Sequence, residues 1–151
     1  MSCKKNTLTM PGIRKILLFD AASVRDWSQL PRGTRIKISS WATVSGESVP
    51  SILSETSVSE VWSRDSSGQV CEVTVSGTVR SAVGVSDPVF DRFLGRPLVA
   101  VTEAVDGTMR AYGSAGFPLR MTSELTGEGL SRERRWTLSC RTPQGSLPCV
   151  P

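Results

Sequence analysis

Apolar and polar residues alternate along much of the chain, most cleanly from Gln69 to Arg80. There Cys71, Val73, Val75 and Val79 fall on one side, and Glu72, Thr74, Ser76, Thr78 and Arg80 on the other. A period of two is the mark of a half-buried strand. Gly77 interrupts the apolar row, which predicts a bulge or a bend in the sheet. Glu60 to Arg64 starts another strand, turned by Asp65-Ser66-Ser67-Gly68, so residues 58–80 read as one hairpin. Leu98 to Val105 and Thr108 to Tyr112 flank Asp106-Gly107 and predict a second, because an Asp-Gly pair suits the backbone of a two-residue hairpin turn. Leu119 and Met121 alternate with Arg120 and Thr122. Trp136, Leu138 and Cys140 alternate with Thr137, Ser139 and Arg141 in a last strand. Ile13 to Phe19 reads as a first strand buried on both faces, and Arg35 to Trp41 as a half-exposed one.

Other stretches break the alternation. Residues 1–12 are polar, end in the turn signal Pro11-Gly12, and read as an N-terminal arm. Asp20 to Trp27 fits either one or two helical turns capped by Asp20, or a loop. Residues 42–57 are Ser-rich, contain Gly46 and Pro50, and predict a long loop or extended arm. Asp87-Pro88 to Gly95 carries the signature of a short helix: an N-cap Asp, Pro at the first helical position, and Gly just past the end. The tail, 143–151, holds three prolines and is expected to have little regular structure. Seven or eight strands and one short helix predict a mainly β fold, an antiparallel sandwich or barrel spanning 13–142 with extended arms and loops.

Composition narrows the chemistry. The chain has 151 residues and no histidine, which removes the commonest general base and metal ligand together. No catalytic, cofactor-binding or metal-binding residue is expected, and the reading is of a protein that is not an enzyme. Ser114, in Gly113-Ser114-Ala115-Gly116, reads as part of a loop that ends a strand rather than as a nucleophile. Glu60, Glu72, Glu103 and Glu124 are the strand-borne carboxylates that a histidine-free hydrolase would need. Each is read as a member of a polar, solvated row. The cysteines are Cys3, Cys71, Cys140 and Cys149. Cys71 and Cys140 read as reduced core residues, with a Cys140–Cys149 or Cys3–Cys149 disulfide as the alternative. The start of the chain does not resemble a signal peptide, and the longest apolar run, Ile16 to Phe19, is too short to span a membrane.

Eighteen basic and fourteen acidic side chains give a net charge of +4, too small to argue for nucleic acid by itself. Arg132-Glu133-Arg134-Arg135-Trp136 is the densest charge cluster. Arg132, Arg134 and Arg135 are therefore the candidates for an intersubunit or acidic-surface contact. Trp27, Trp41, Trp62 and Trp136 could line a sugar-binding surface. Trp62 and Trp136 lie on predicted strands, where core packing comes first.

The succession Leu98-Val-Ala-Val-Thr-Glu-Ala-Val-Asp-Gly-Thr-Met-Arg-Ala-Tyr-Gly-Ser114, then Phe117-Pro-Leu-Arg-Met-Thr122, then Thr126-Gly127, then Arg134-Arg-Trp-Thr-Leu-Ser-Cys140, resembles small β-rich virion proteins of tailed phages and prophages. Tail and head–tail connector components are the nearest in cadence. The resemblance covers about a third of the chain and carries over no catalytic residue. It implies a structural subunit made in the host cytoplasm and built into a virion, a homo-oligomer that also contacts other virion subunits. Such proteins form rings or tubes by pairing strands and exchanging arms and loops, roles that suit 1–12, 42–57 and 143–151. A net positive chain departs from what the inner wall of a DNA conduit prefers. The competing readings are a carbohydrate- or ligand-binding module with exposed Trp, and a carboxylate-dependent enzyme.

Overall fold

A computed structural model describes residues 6–9, 12–31, 33–43, 46–48, 56–66, 68–79, 92–127, 133–143 and 145–150. In chain order the strands are β1 (Asn6–Thr9), β2 (Ile13–Asp20), β3 (Ile36–Lys37), β4 (Glu47–Ser48), β5 (Ser57–Asp65), β6 (Gly68–Val79), β7 (Pro97–Ala104), β8 (Met109–Tyr112), β9 (Leu119–Thr126), β10 (Glu133–Thr142) and β11 (Leu147–Val150). One α-helical turn, α1, spans Ile38–Trp41. The protein is mainly β, as the alternation predicts.

The strands form one open, mixed, mostly antiparallel sheet. Its main path runs β1-β5-β6-β10-β9-β7-β8-β11-β3, with β2 branching from β7 and carrying β4 on its other edge. Both expected hairpins are present. β5 and β6 pair from Ser57↔Ser76 to Asp65↔Gly68. β7 and β8 meet around Asp106-Gly107, where the Thr108 N–H donates to Asp106 Oδ1 (2.9 Å) and Gly107 takes φ +89°. β7 is the branch point. One edge pairs with β2, while the other is shared between β9 at Pro97–Leu98 and β8 at Ala100–Glu103.

Alternation along β7 sends its residues into two cores. Leu98 and Ala100 join Ile16, Leu18, Val58, Cys71, Val73, Val75, Trp136 and Leu138. Val99 and Val101 join Phe19, Trp27, Ile36, Ala111, Leu147 and Cys149. A bulge at Arg14, between the pairs Ile13↔Ala104 and Lys15↔Glu103, lets Ile13 and Ile16 face the same core despite their spacing of three. Only residues 10–12 join β1 to β2. A chain spans at most about 3.6 Å per residue, so the β1 edge lies within about 14 Å of the start of β2. β1 is bonded to β5 and β2 to β7, so the sheet folds over itself around the first core.

Several local expectations are corrected. Arg35 to Trp41 is a strand only at Ile36–Lys37. From Ile38 the chain turns helically, and Ile38 and Trp41, three apart, both pack on the second core. The segment 42–57 contains β4, and the arm contains β1. The tail is also ordered at β11, which lies between β8 and β3. Leu147 and Cys149 are buried in the second core, which outweighs the cost of Pro148. The parallel pairing to β3 begins only after that proline, at Cys149↔Ile36, as a residue without an N–H requires. Asp20 caps a 3-10 turn at Ala21–Ser23, accepting from the Ala22 N–H (3.2 Å). The helix read at 87–95 lies mostly outside the described residues. Its described end is helical at Arg92–Phe93 and is followed by Gly95 at φ +75°.

Gly77 makes no bulge: the register runs unbroken through Arg135↔Thr78, Trp136↔Gly77 and Thr137↔Ser76. Its role is space. A Cβ at Gly77 would lie 2.5 Å from Trp136 Cζ2, so the buried indole lies directly on the β6 backbone. Gly77→Ala is expected to lose about 1–3 kcal/mol through overpacking. Trp136→Phe in the same chain should recover part of the loss, because the two side chains meet. Urea unfolding of the two single variants and the double variant checks this non-additivity.

Candidate functional site

The outward face of β6, β10 and β9 is a grid of hydroxyls interrupted by charges. Register sets Arg135 between Thr78 and Glu124, Thr137 between Ser76 and Thr122, and Ser139 between Thr74 and Arg120. At the β5 side, the Ser57 and Ser76 hydroxyls lie 3.1 Å apart. Two hollows open on this face. One, of about 400 Å³, is lined by Thr74, Ser76, Gly77, Thr78, Glu133, Arg135 and Thr137. The other, of about 250 Å³, is lined by Thr122, Ser123, Glu124, Arg135 and Thr137. Arg135 and Thr137 border both. Arg135 is exposed, and its guanidinium has no hydrogen bond or ion pair among the described residues.

This geometry divides the basic cluster. Adjacent residues of a strand point to opposite faces. Arg135 therefore faces the hollows, while Arg134 is half-buried and donates from Nη1 to Ser123 Oγ (2.8 Å). Arg132 lies outside the described residues. Arg134 and Arg135 do not form one basic patch, and of these two Arg135 is the one offered to a ligand or partner.

The four carboxylates separate as well. Glu60 is not in a solvated row: it is 5% exposed and in phase with Val58 and Trp62 on the inward side of β5. That phase was the sequence signal for its burial. Its Oε1 accepts from the Ser146 N–H (2.7 Å). Arg110 meets the same residue, donating from Nε to Ser146 Oγ (2.8 Å) and from Nη2 to its carbonyl (3.4 Å). Tyr112 completes the cluster. Burial, then the Glu60 charge, pushes its phenol well above the usual range, against the pull of Arg110 and the hydroxyls of Thr102 and Ser146. These groups fasten the start of β11 to β5 and β8. Glu103 is half-buried and paired with Arg14 (2.7 Å), while Glu72 and Glu124 are exposed. Glu60 points into the core and Glu72 and Glu124 point outward, so these three do not converge in one cleft.

Other candidates are absorbed by structure. Ser114 is buried in a turn, where its Oγ accepts from the Phe117 N–H and its own N–H donates to the Phe117 carbonyl (both 3.1 Å). Trp27 and Trp136 are buried, and Trp41 and Trp62 are half-buried against the two cores. Trp27 donates from Nε1 to the Gly113 carbonyl (2.7 Å) and stacks edge-on against Trp41, with the Arg25 guanidinium over the Trp41 ring. No tryptophan is left as an exposed sugar platform. No group of three or more metal-ligating side chains occurs among the described residues. Likewise, no disulfide joins the described cysteines. Cys71 lies in the first core with Cys140 packed against it, and Cys149 lies in the second. Comparison with known proteins finds no matching family model, curated protein or solved structure.

Burial pushes the Cys140 thiol up to about 12 and the Cys149 thiol up to about 11, from an ordinary 9.0, with Arg110 restraining the second. The folded chain thus keeps protons that the unfolded chain releases above pH 9.0. Stability from these groups is fully present below that pH and is lost as pH rises through the folded values. Urea midpoints are expected to be level from neutral to mildly alkaline pH and to fall above it. Iodoacetamide should label both residues far more slowly in the native chain than in the unfolded one.

Proposed function

We propose that this chain is a structural subunit of a phage or prophage virion, a tail or head–tail connector component, that assembles into rings or tubes. One observation carries the reading. The N-terminal segment is a strand, β1, laid along the outer edge of β5, with no strand on its other edge among the described residues. Open edges offer unsatisfied backbone N–H and C=O groups to another chain. A short terminal strand at such an edge can be exchanged with its copy in a neighbour at little cost. At the far end of the path, β3 offers a second open edge two residues long. Two different edges on one subunit give head-to-tail contacts, the kind that closes into rings or extends into tubes.

The resemblance in residues 98–141 supports the same reading. The described ones among them lie on β7 to β10 and the turns between, the wall of the sheet rather than its edges. In this account the wall supplies rigidity, β1 and the segment around β4 supply contacts, and no chemical step is assigned. The tryptophans pack on the cores, which favours this reading over a ligand-binding module with exposed Trp.

Light scattering after size exclusion, with negative-stain images of the same fractions, tests the proposal. The full chain is expected to give rings or tubes of discrete mass. A chain beginning at Met10 should keep its β spectrum and thermal unfolding but lose the assembled species. A full chain that stays monomeric at every concentration, alone and with added shortened chain, contradicts the reading. Assembly that persists unchanged without β1 would contradict the role given to that strand.

A further inference from the structure

The two hollows on the outward face of β6, β10 and β9 have a composition that selects a ligand. Their lining is hydroxyl-bearing, apart from one guanidinium, two carboxylates and Gly77. No large apolar side chain contributes, which disfavours an apolar ligand. Thr78 is only 5% exposed, so the larger hollow has a fixed polar wall. Hydroxyls both donate and accept. The sheet repeats them about 4.8 Å apart across strands and about 6.7 Å apart along them, the scale of substituents across a pyranose ring. The larger hollow, about 400 Å³, is of ligand-site size, and it meets the smaller one at Arg135 and Thr137.

Charge fixes the rest. Arg135 presents a guanidinium with no ion pair among the described residues, set where both hollows meet. A planar fork of N–H donors suits a carboxylate or a phosphate. Glu133 borders one hollow and Glu124 the other. The exposed Glu124, opposite Arg135 in register, disfavours a polyanion while leaving room for one acidic group. We propose that this groove binds a sugar bearing a single acidic group, a uronate or a sugar phosphate, with the acid on Arg135 and the ring hydroxyls on Ser76, Thr78 and Thr137. The site lies on a sheet face and not on the β1 edge, so it is independent of the assembly reading.

Titration calorimetry with glucuronic acid, glucose 6-phosphate, glucose and inorganic phosphate tests it on the full chain. Saturation-transfer NMR, read on the sugar protons, reports on a monomer or an assembly alike. Saturable binding of at least one acidic sugar is expected, about tenfold tighter than glucose. Which acid binds separates the uronate from the phosphate. Arg135→Gln should weaken binding by about tenfold. Arg141→Gln, on the same face beside Asp65, should leave it unchanged. Absence of saturable binding overturns the proposal. Inorganic phosphate binding as tightly as glucose 6-phosphate, equal losses in both arginine variants, or a short oligonucleotide displacing the sugar more strongly than any acidic sugar would also overturn it.

Discussion

Burial of β7 on both faces is the constraint on which the rest of this structure depends. Leu98 to Val101 are each almost wholly buried, two residues facing each core. Because β7 gives one edge to β2 and divides the other between β9 and β8, it is also where the sheet branches. A strand in that position must be apolar on both sides, and Leu-Val-Ala-Val meets the demand. A charge at any of these four positions would be buried in one core or the other, with no water to solvate it. The β5-β6-β10-β9 half folds over the β2-β7-β8 half because both owe side chains to the first core.

This arrangement leaves distinct regions free of packing duty. The outward side of β6, β10 and β9 is covered by hydroxyls and charges, and its regularity follows from an unbroken register along β10. Gly77 is what permits that register, since any larger residue would lift β6 off the Trp136 indole. The outer edges of β1, β3 and β4 have no strand beside them among the described residues. Rigid centre, polar face and open edges are what the assembly reading and the sugar reading each draw upon, at different places. The cluster of Glu60, Arg110, Tyr112 and Ser146 closes the C-terminal strand onto the body by polar contacts in a buried setting, where such bonds are costly to lose.

How much of this was legible depended on whether local pattern or distant packing decided each element. Cys71, Val73 and Val75 alternate so cleanly, and Asp106-Gly107 suits its turn so well, that both hairpins could be read residue by residue. Ile38 could not: its apolar neighbours lie in the second core, and they reward a helical turn where the period suggested a strand. Pro148 argued against order, yet Leu147 and Cys149 gain burial that no local signal announces. Glu60 was misread for want of phase, since counting from Val58 places it inward. Arg134 and Arg135 part for a reason that the strand period itself contains, because consecutive residues of a strand point to opposite faces. The groove was not legible, since it depends on which strands lie side by side.

Hydrogen exchange read by mass spectrometry across a dilution series tests the account most directly. It asks whether a rigid, doubly buried strand and an exchangeable edge coexist in one chain. The account predicts that β7 amides exchange only through global unfolding at every concentration. β1 amides should exchange through local opening in dilute protein and become protected as assembly sets in. β1 amides as slow as those of β7 in dilute monomer, with no change on concentration, would contradict it.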